Sequence, residues 1–235
     1  MKAWIKKLLG RCISSIVSIV NHAQLRENRN IRTMAYDIAF QEAAEFVYNN
    51  SEKALIFQYY RQLWDFVINE IENRGLLLEF GVFQGRSINY FSARSATAND
   101  IRTWYGFDSF EGLSENWFGN QLSRGHFSLE GSLPKVRNNV ELIKGWIDET
   151  LPEFLACHKE PIAFIHIDTD TYTPASTILK LCKPRLQRNS IILFDEMLCH
   201  PNWRNGEFRA LQENFSTDEY EYIGFCQFKV AIRIL

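Results

Sequence analysis

Paired cysteines are missing from this sequence. Its five (Cys12, Cys157, Cys182, Cys199 and Cys226) are odd in number and far apart. No Cys-x-x-Cys and no Cys/His cluster occurs, which excludes a disulfide framework and a structural zinc site and fits a reducing compartment, the cytoplasm. A basic surplus is missing too. The 26 Lys and Arg stand against 28 Asp and Glu in 235 residues, so nothing is left over to neutralise a nucleic-acid backbone. Internal repeats and low-complexity tracts are absent, and no apolar run is long enough to span a bilayer. What the chain has in excess is aromatic: 18 Phe, 9 Tyr and 6 Trp, a composition that favours a large packed core.

The first twenty residues, Met1 to Val20, place Lys2, Lys6 and Lys7 before an apolar stretch that Gly10-Arg11 and three serines interrupt. A secretory signal would be unbroken. Ile5, Leu8, Leu9, Cys12, Ile13, Ile16 and Val20 share one helical face instead, suited to packing on its own domain, on a sister subunit in a homo-oligomer, or peripherally on a membrane surface. A polar hinge over Arg26 to Thr33 follows. Helices are then expected over Met34 to Tyr48 and from Asn50-Ser51 to Gly75. Residues 1–75 thus read as a helical extension and residues 76–235 as a separate domain.

From Leu76 the pattern becomes short apolar runs alternating with helical segments. Strands are expected at Leu76–Phe80, Arg102–Phe107, Val140–Ile143, Ile162–Ile167 and Ser190–Phe194. Helices are expected over Gly85–Ala96, Asp148–Cys157, Pro174–Leu186 and Gly206–Asn214. Near-continuous apolar strands with helical crossovers imply an α/β fold with a mostly parallel sheet covered on both faces. Glu219–Phe225 and Phe228–Leu235 have almost nothing between them and so form a hairpin, making one strand antiparallel at the end of the chain.

Ligands of such sheets sit beyond the carboxyl ends of the strands. Acids stand at four of those five ends. Glu79-Phe80-Gly81-Val82-Phe83-Gln84-Gly85-Arg86-Ser87 is a strand, a glycine turn and a helix start. Phe83 occupies the place of the middle glycine of a dinucleotide fingerprint, which hinders close approach of a pyrophosphate, and Glu79 would repel phosphate. An ammonium and sugar hydroxyls, as in S-adenosylmethionine, suit it better; a tight packing turn is the plainer alternative. Asp108, followed by Ser109, can accept both hydroxyls of a ribose, or else cap a turn. Gly145-Trp146 offers a flat surface for an adenine, or a core tryptophan.

Asp168 and Asp195 end two consecutive strands, with Glu196 beside them. Crowded carboxylates repel unless a positive charge is present, and hard oxygen ligands suit Mg²⁺. Such an ion would lower the pKa of a substrate hydroxyl. Helix caps and solvated strand tips are the alternative. His200 is a candidate base, His166 reads as a core residue, and the aromatic loop Asn116–Lys135 reads as a lid or substrate wall.

These blocks, together with Phe107-Asp108-Ser109-Phe110-Glu111-Gly112-Leu113 and Lys144-Gly145-Trp146-Ile147-Asp148-Glu149-Thr150-Leu151-Pro152, resemble the macrocin O-methyltransferase (TylF/MycF-like) family of class I S-adenosylmethionine-dependent methyltransferases. The likeness runs from about Leu76 to Asn214. It implies a Rossmann-like, seven-stranded sheet with an antiparallel last strand, and methyl transfer to a hydroxyl of a small molecule or sugar with Mg²⁺. By position it implies Asp168, Asp195 and Glu196 as metal ligands and Asp168 as base, with Glu79, Gly81, Phe83, Ser87, Asp108, Ser109, Gly145 and Trp146 around the cofactor. The family usually has two aspartates where this chain has Asp195-Glu196, and its N-terminal part does not match residues 1–75. A catalytically inactive binding or scaffolding subunit of the same fold is the rival reading.

Overall fold

A computed structural model describes residues 30–98 and 100–235, of which Ala39–Leu235 form one compact unit. The helix expected over Met1 to Val20 lies outside the described residues. In chain order the elements are α1 (Ile31–Asn50), β1 (Leu55–Ile56), α2 (Tyr60–Glu70), β2 (Leu76–Phe80), α3 (Arg86–Thr97), β3 (Trp104–Asp108), β4 (Val140–Lys144), α4 (Ile147–Cys157), β5 (Ile162–Ile167), α5 (Tyr172–Cys182), β6 (Leu186–Phe194), α6 (Glu207–Asn214), β7 (Tyr220–Cys226) and β8 (Lys229–Ile234). No described helix is long and apolar enough to cross a membrane.

The strands form one sheet in the order β1-β7-β8-β6-β5-β2-β3-β4. All pairings are parallel except those of β8, which enters between β6 and β7 in the opposite sense. This is the Rossmann-like arrangement with an antiparallel last strand. Period-two alternation sorts the central strands between two cores. Leu76, Leu78, Phe80, Ile165, Ile167, Ile192 and Phe194 meet α4, α5 and α6 on one face. Leu77, Phe164, Ile191 and Leu193 meet Leu63, Trp64 and Val67 of α2 and Ile88 and Phe91 of α3 on the other. Each such side chain, once buried, contributes about 1.5–3 kcal/mol. With both faces covered, only the rim is left for a ligand.

Two expectations are corrected. The helix expected from Asn50-Ser51 to Gly75 is interrupted: Leu55 and Ile56 pair in parallel with Gly224 and Phe225 of β7, and the Phe57 N–H donates to the Phe225 carbonyl at 2.8 Å. The open edge of β7 offers that backbone partners which outweigh helix propensity. The sheet therefore has eight strands rather than seven. The helix expected to reach Leu186 ends at Cys182, because Pro184 in the following 3₁₀ turn has no N–H to continue it.

Candidate active site

Strand ends set the site. β5 and β6 are parallel neighbours, and the Asp195 N–H donates to the Ile167 carbonyl at 2.9 Å. Asp168 and Asp195 therefore stand side by side at the carboxyl rim. The Asp168 N–H donates to the Phe80 carbonyl at 2.8 Å, which ties this corner to the glycine turn after β2.

In that turn Gly81 has φ +88° and a Cβ there would lie 1.8 Å from the Asp168 carbonyl oxygen. Phe83 also has a positive φ, 47°, a conformation that costs a residue other than glycine about 1–2 kcal/mol. Asp108 offsets that cost. Its Oδ2 accepts the N–H groups of Val82 at 2.8 Å and Phe83 at 2.7 Å, and its Oδ1 accepts that of Phe110 at 2.7 Å. A carboxylate has about four acceptor positions, so one is left, on Oδ1. Asp108 thus holds the turn, the capping role that was its alternative reading, and keeps acceptor capacity on Oδ1.

A cavity of about 510 Å³ opens beyond these strand ends, and Gly81, Phe83, Asp108, Ser109, Gly145, Trp146, Asp168 and Glu196 all border it. The loop read from the sequence as a lid or substrate wall borders it with Trp117, Arg124 and Phe127. Phe127 packs edge-on against Phe83 at 5.4 Å, and the Glu115 carboxylate accepts from both the N–H and the hydroxyl of Thr173 at 2.9 Å, fastening the lid to α5. A second cavity of about 300 Å³ is bordered by Tyr60, Trp64, Arg86, Ser87, Asp195 and Lys229, and also by Phe83 and Asp168. The two cavities share only those last two residues.

Glu79 borders neither cavity. It is fully buried, accepts from the Ser87 hydroxyl at 2.9 Å and faces His166 Nδ1 at 3.0 Å. The other ring nitrogen, Nε2, lies 3.2 Å from Asp195 Oδ1, and Asp195 Oδ2 lies 2.7 Å from Lys229 Nζ. A row of alternating acidic and basic side chains thus runs from beneath the rim up to it, Glu79–His166–Asp195–Lys229, and burial holds the Glu79 carboxyl above the usual carboxylate range. Burial alone would lower the pKa of His166, but Asp195 and Glu79 on its two nitrogens outweigh that and raise it to about 10. Burial would raise Asp195, and the Lys229 charge with the His166 hydrogen bond instead brings it down to about 2. His166 is the core residue expected, and it is satisfied by the site's own carboxylates.

Because the folded pKa of His166 exceeds its unfolded value near 6.5, its stabilising effect is complete below about pH 6.5. It is lost as pH rises through about 10. His166→Gln should therefore cost about 3–5 kcal/mol at pH 6, with the gap to wild type narrowing toward pH 10. Urea unfolding at a series of pH values measures this, and a gap constant from pH 6 to 10 would refute the charged imidazole.

Asp168 is different. No described group donates a hydrogen bond to its carboxylate, and burial, then the Asp195 charge, hold its pKa well above the usual carboxylate range. Among the described residues, His166, Asp168 and Asp195 are the group whose ligand atoms all lie within 4.8 Å of one another. A hard divalent ion fits the two carboxylates, since its charge would offset the burial and the Asp195 repulsion that together raise Asp168. His166 offers it no lone pair while both nitrogens serve carboxylates. Glu196, expected as the third ligand, is outside this group. It borders the larger cavity, and burial raises its carboxyl to about 7.

His200 is not brought to the acids. It is buried, its Nε2 lies 2.9 Å from the Glu196 carbonyl and its Nδ1 3.1 Å from the Pro201 carbonyl, and it borders neither cavity. Sequence reasoning missed Lys229, Arg86 and Tyr60, which border the second cavity. Lys229 opens a strand of the terminal hairpin, and its strand-end position on the one antiparallel strand was the available signal.

Residues 78–197, just over half of the chain, match the family described as methyltransferase domain. The fold is similar to that of CalS11, a calicheamicin methyltransferase, at TM-score 0.62 and 22% identity over 86% of this chain and 91% of that one. It is also similar to the O-methyltransferase NovP, at TM-score 0.53 and 22% identity over 73% and 76%. No curated protein matches the sequence.

Proposed function

The chain belongs to the methyltransferase-domain family, and from that premise we propose that it is an S-adenosylmethionine-dependent O-methyltransferase of the macrocin type, acting on a hydroxyl of a small molecule or sugar. The observation that carries this reading is Asp168: a carboxylate without a hydrogen-bond donor among the described residues, bordering two cavities, one lined by Asp108, Gly145 and Trp146 and one carrying both signs of charge.

The donor supplies an electrophilic methyl group on a sulfonium. Its adenosine belongs in the larger cavity, where Trp146 offers a flat face to the base and Asp108 Oδ1 one acceptor position to the ribose. Its amino-acid tail belongs in the second cavity, where Arg86 and Lys229 attract its carboxylate. The remainder of the larger cavity, walled by Trp117, Phe127 and Thr173, takes the acceptor. Mg²⁺, held by Asp168 and Asp195 with Glu196 adjacent, would lower the pKa of the acceptor hydroxyl. Asp168 receives the hydroxyl proton. The lid excludes water, and the two cavities bring donor and acceptor together, the effect that supplies most of the rate in such a transfer.

Calorimetry with S-adenosylhomocysteine, followed by radiolabelled methyl transfer to a panel of sugars and phenols with and without Mg²⁺, tests the proposal. Micromolar binding with transfer to a hydroxyl is expected. Absence of binding at millimolar ligand would refute it, and binding without transfer to any acceptor would favour the inactive subunit.

A further inference from the structure

Lys229 Nζ stands 2.7 Å from Asp195 Oδ2 and 3.4 Å from the Asp195 carbonyl oxygen. The other carboxylate oxygen of Asp195 faces His166 Nε2 at 3.2 Å. Both oxygens of the central acid are therefore engaged, Oδ2 by the Lys229 ammonium, and a divalent ion at Asp168 and Asp195 would stand against that ammonium. Two cations cannot share one carboxylate oxygen without strong repulsion. Lys229 is also the only one of these groups, apart from the two acids, that borders the second cavity, with Arg86 and the Tyr60 ring around it. Its ammonium sits on a flexible four-carbon stem with three rotatable donors, so it can exchange one carboxylate for another by a change of rotamer.

We propose that Lys229 is a switch that couples donor binding to metal binding, an inference that rests on the placement of the donor tail and the metal given above. With no anion in the second cavity, Lys229 neutralises Asp195. A carboxylate entering that cavity draws the ammonium away and frees Asp195 Oδ2 for the divalent ion. Each ligand then tightens the other by the same factor, since coupling between two sites is reciprocal. The arrangement delays assembly of the charged site until the methyl donor is present.

The test measures metal occupancy without turnover. Mn²⁺ binding is followed by electron paramagnetic resonance, alone, with S-adenosylhomocysteine, and with 5′-methylthioadenosine, which keeps the nucleoside and thioether but lacks the amino-acid tail. In the wild type, S-adenosylhomocysteine should tighten Mn²⁺ about tenfold, and methylthioadenosine should leave it unchanged. In Lys229→Met, Mn²⁺ should bind more tightly without any ligand, and S-adenosylhomocysteine should add less than about twofold. Lys229→Arg, which keeps the charge, should retain the coupling. Unchanged methylthioadenosine affinity in each variant certifies the fold; should the Met variant fail that check, the two ligands compared in wild type and Lys229→Arg decide. Equal effects of both ligands, or wild-type coupling in the Met variant, would overturn the switch while leaving the metal site standing. No Mn²⁺ binding by any form at millimolar metal would overturn the metal site itself.

Discussion

Asp168→Asn should lower the rate of methyl transfer by about a thousandfold or more while leaving S-adenosylhomocysteine affinity within about threefold. A positioned base contributes about 10²–10⁴-fold, and the same side chain is half of the carboxylate pair that fits the metal. The substitution changes no volume and breaks no hydrogen bond, because the Asp168 carboxylate accepts none from described groups and the backbone bond to Phe80 is untouched. Folding is therefore expected to survive it. Removing one of two repelling carboxylates should even raise thermal stability slightly. Radiolabelled transfer and thermal unfolding together measure this. A loss of tenfold or less would mean that the proton leaves by another route.

Gly81→Ala should be the most damaging glycine-to-alanine change among the described residues. At φ +88°, the new Cβ would lie 1.8 Å from the Asp168 carbonyl oxygen and 2.7 Å from its carbonyl carbon. Both are backbone atoms of the neighbouring strand end, so no side chain can rotate away. The turn would have to leave β5, breaking the Asp168 bond to Phe80 and separating the walls of both cavities. Left-handed strain of about 1–2 kcal/mol adds to an overpacking cost of about 1–3 kcal/mol or more, and a loss above 3 kcal/mol is expected. Gly125→Ala is the control: its φ is +82°, but nothing lies within 4 Å of the new Cβ. Only the strain should remain there. Denaturant unfolding of the pair separates clash from strain, and equal losses would refute the close approach at Gly81.

The rim of acids could be read before any coordinates because each follows the last apolar residue of a strand, and a parallel sheet gathers such positions at one edge. Asp168 and Asp195 were found this way. The partners of those acids were not. His166 reads as one more residue in Phe164-Ile165-His166-Ile167, and nothing local says that its ring reaches Glu79 on one side and Asp195 on the other. Glu79 itself was expected to face a ligand, yet it lies beneath the rim, because the strand places it on the face where Ser87 and His166 stand. Lys229 lies outside every motif and more than thirty residues from Asp195, joined to it only because β8 runs between β6 and β7.

Helix and strand periodicity, and with it the α/β architecture, the antiparallel ending and the edge on which chemistry can occur, are properties of local order, so the amino-acid sequence alone determined them. Which carboxylate is free and which is neutralised is a property of contacts between distant segments. Only the tertiary structure decided that Asp168 stays open while Glu79 and Asp195 are bound by His166 and Lys229. Charge acts through space, over a few ångströms that sequence separation does not measure.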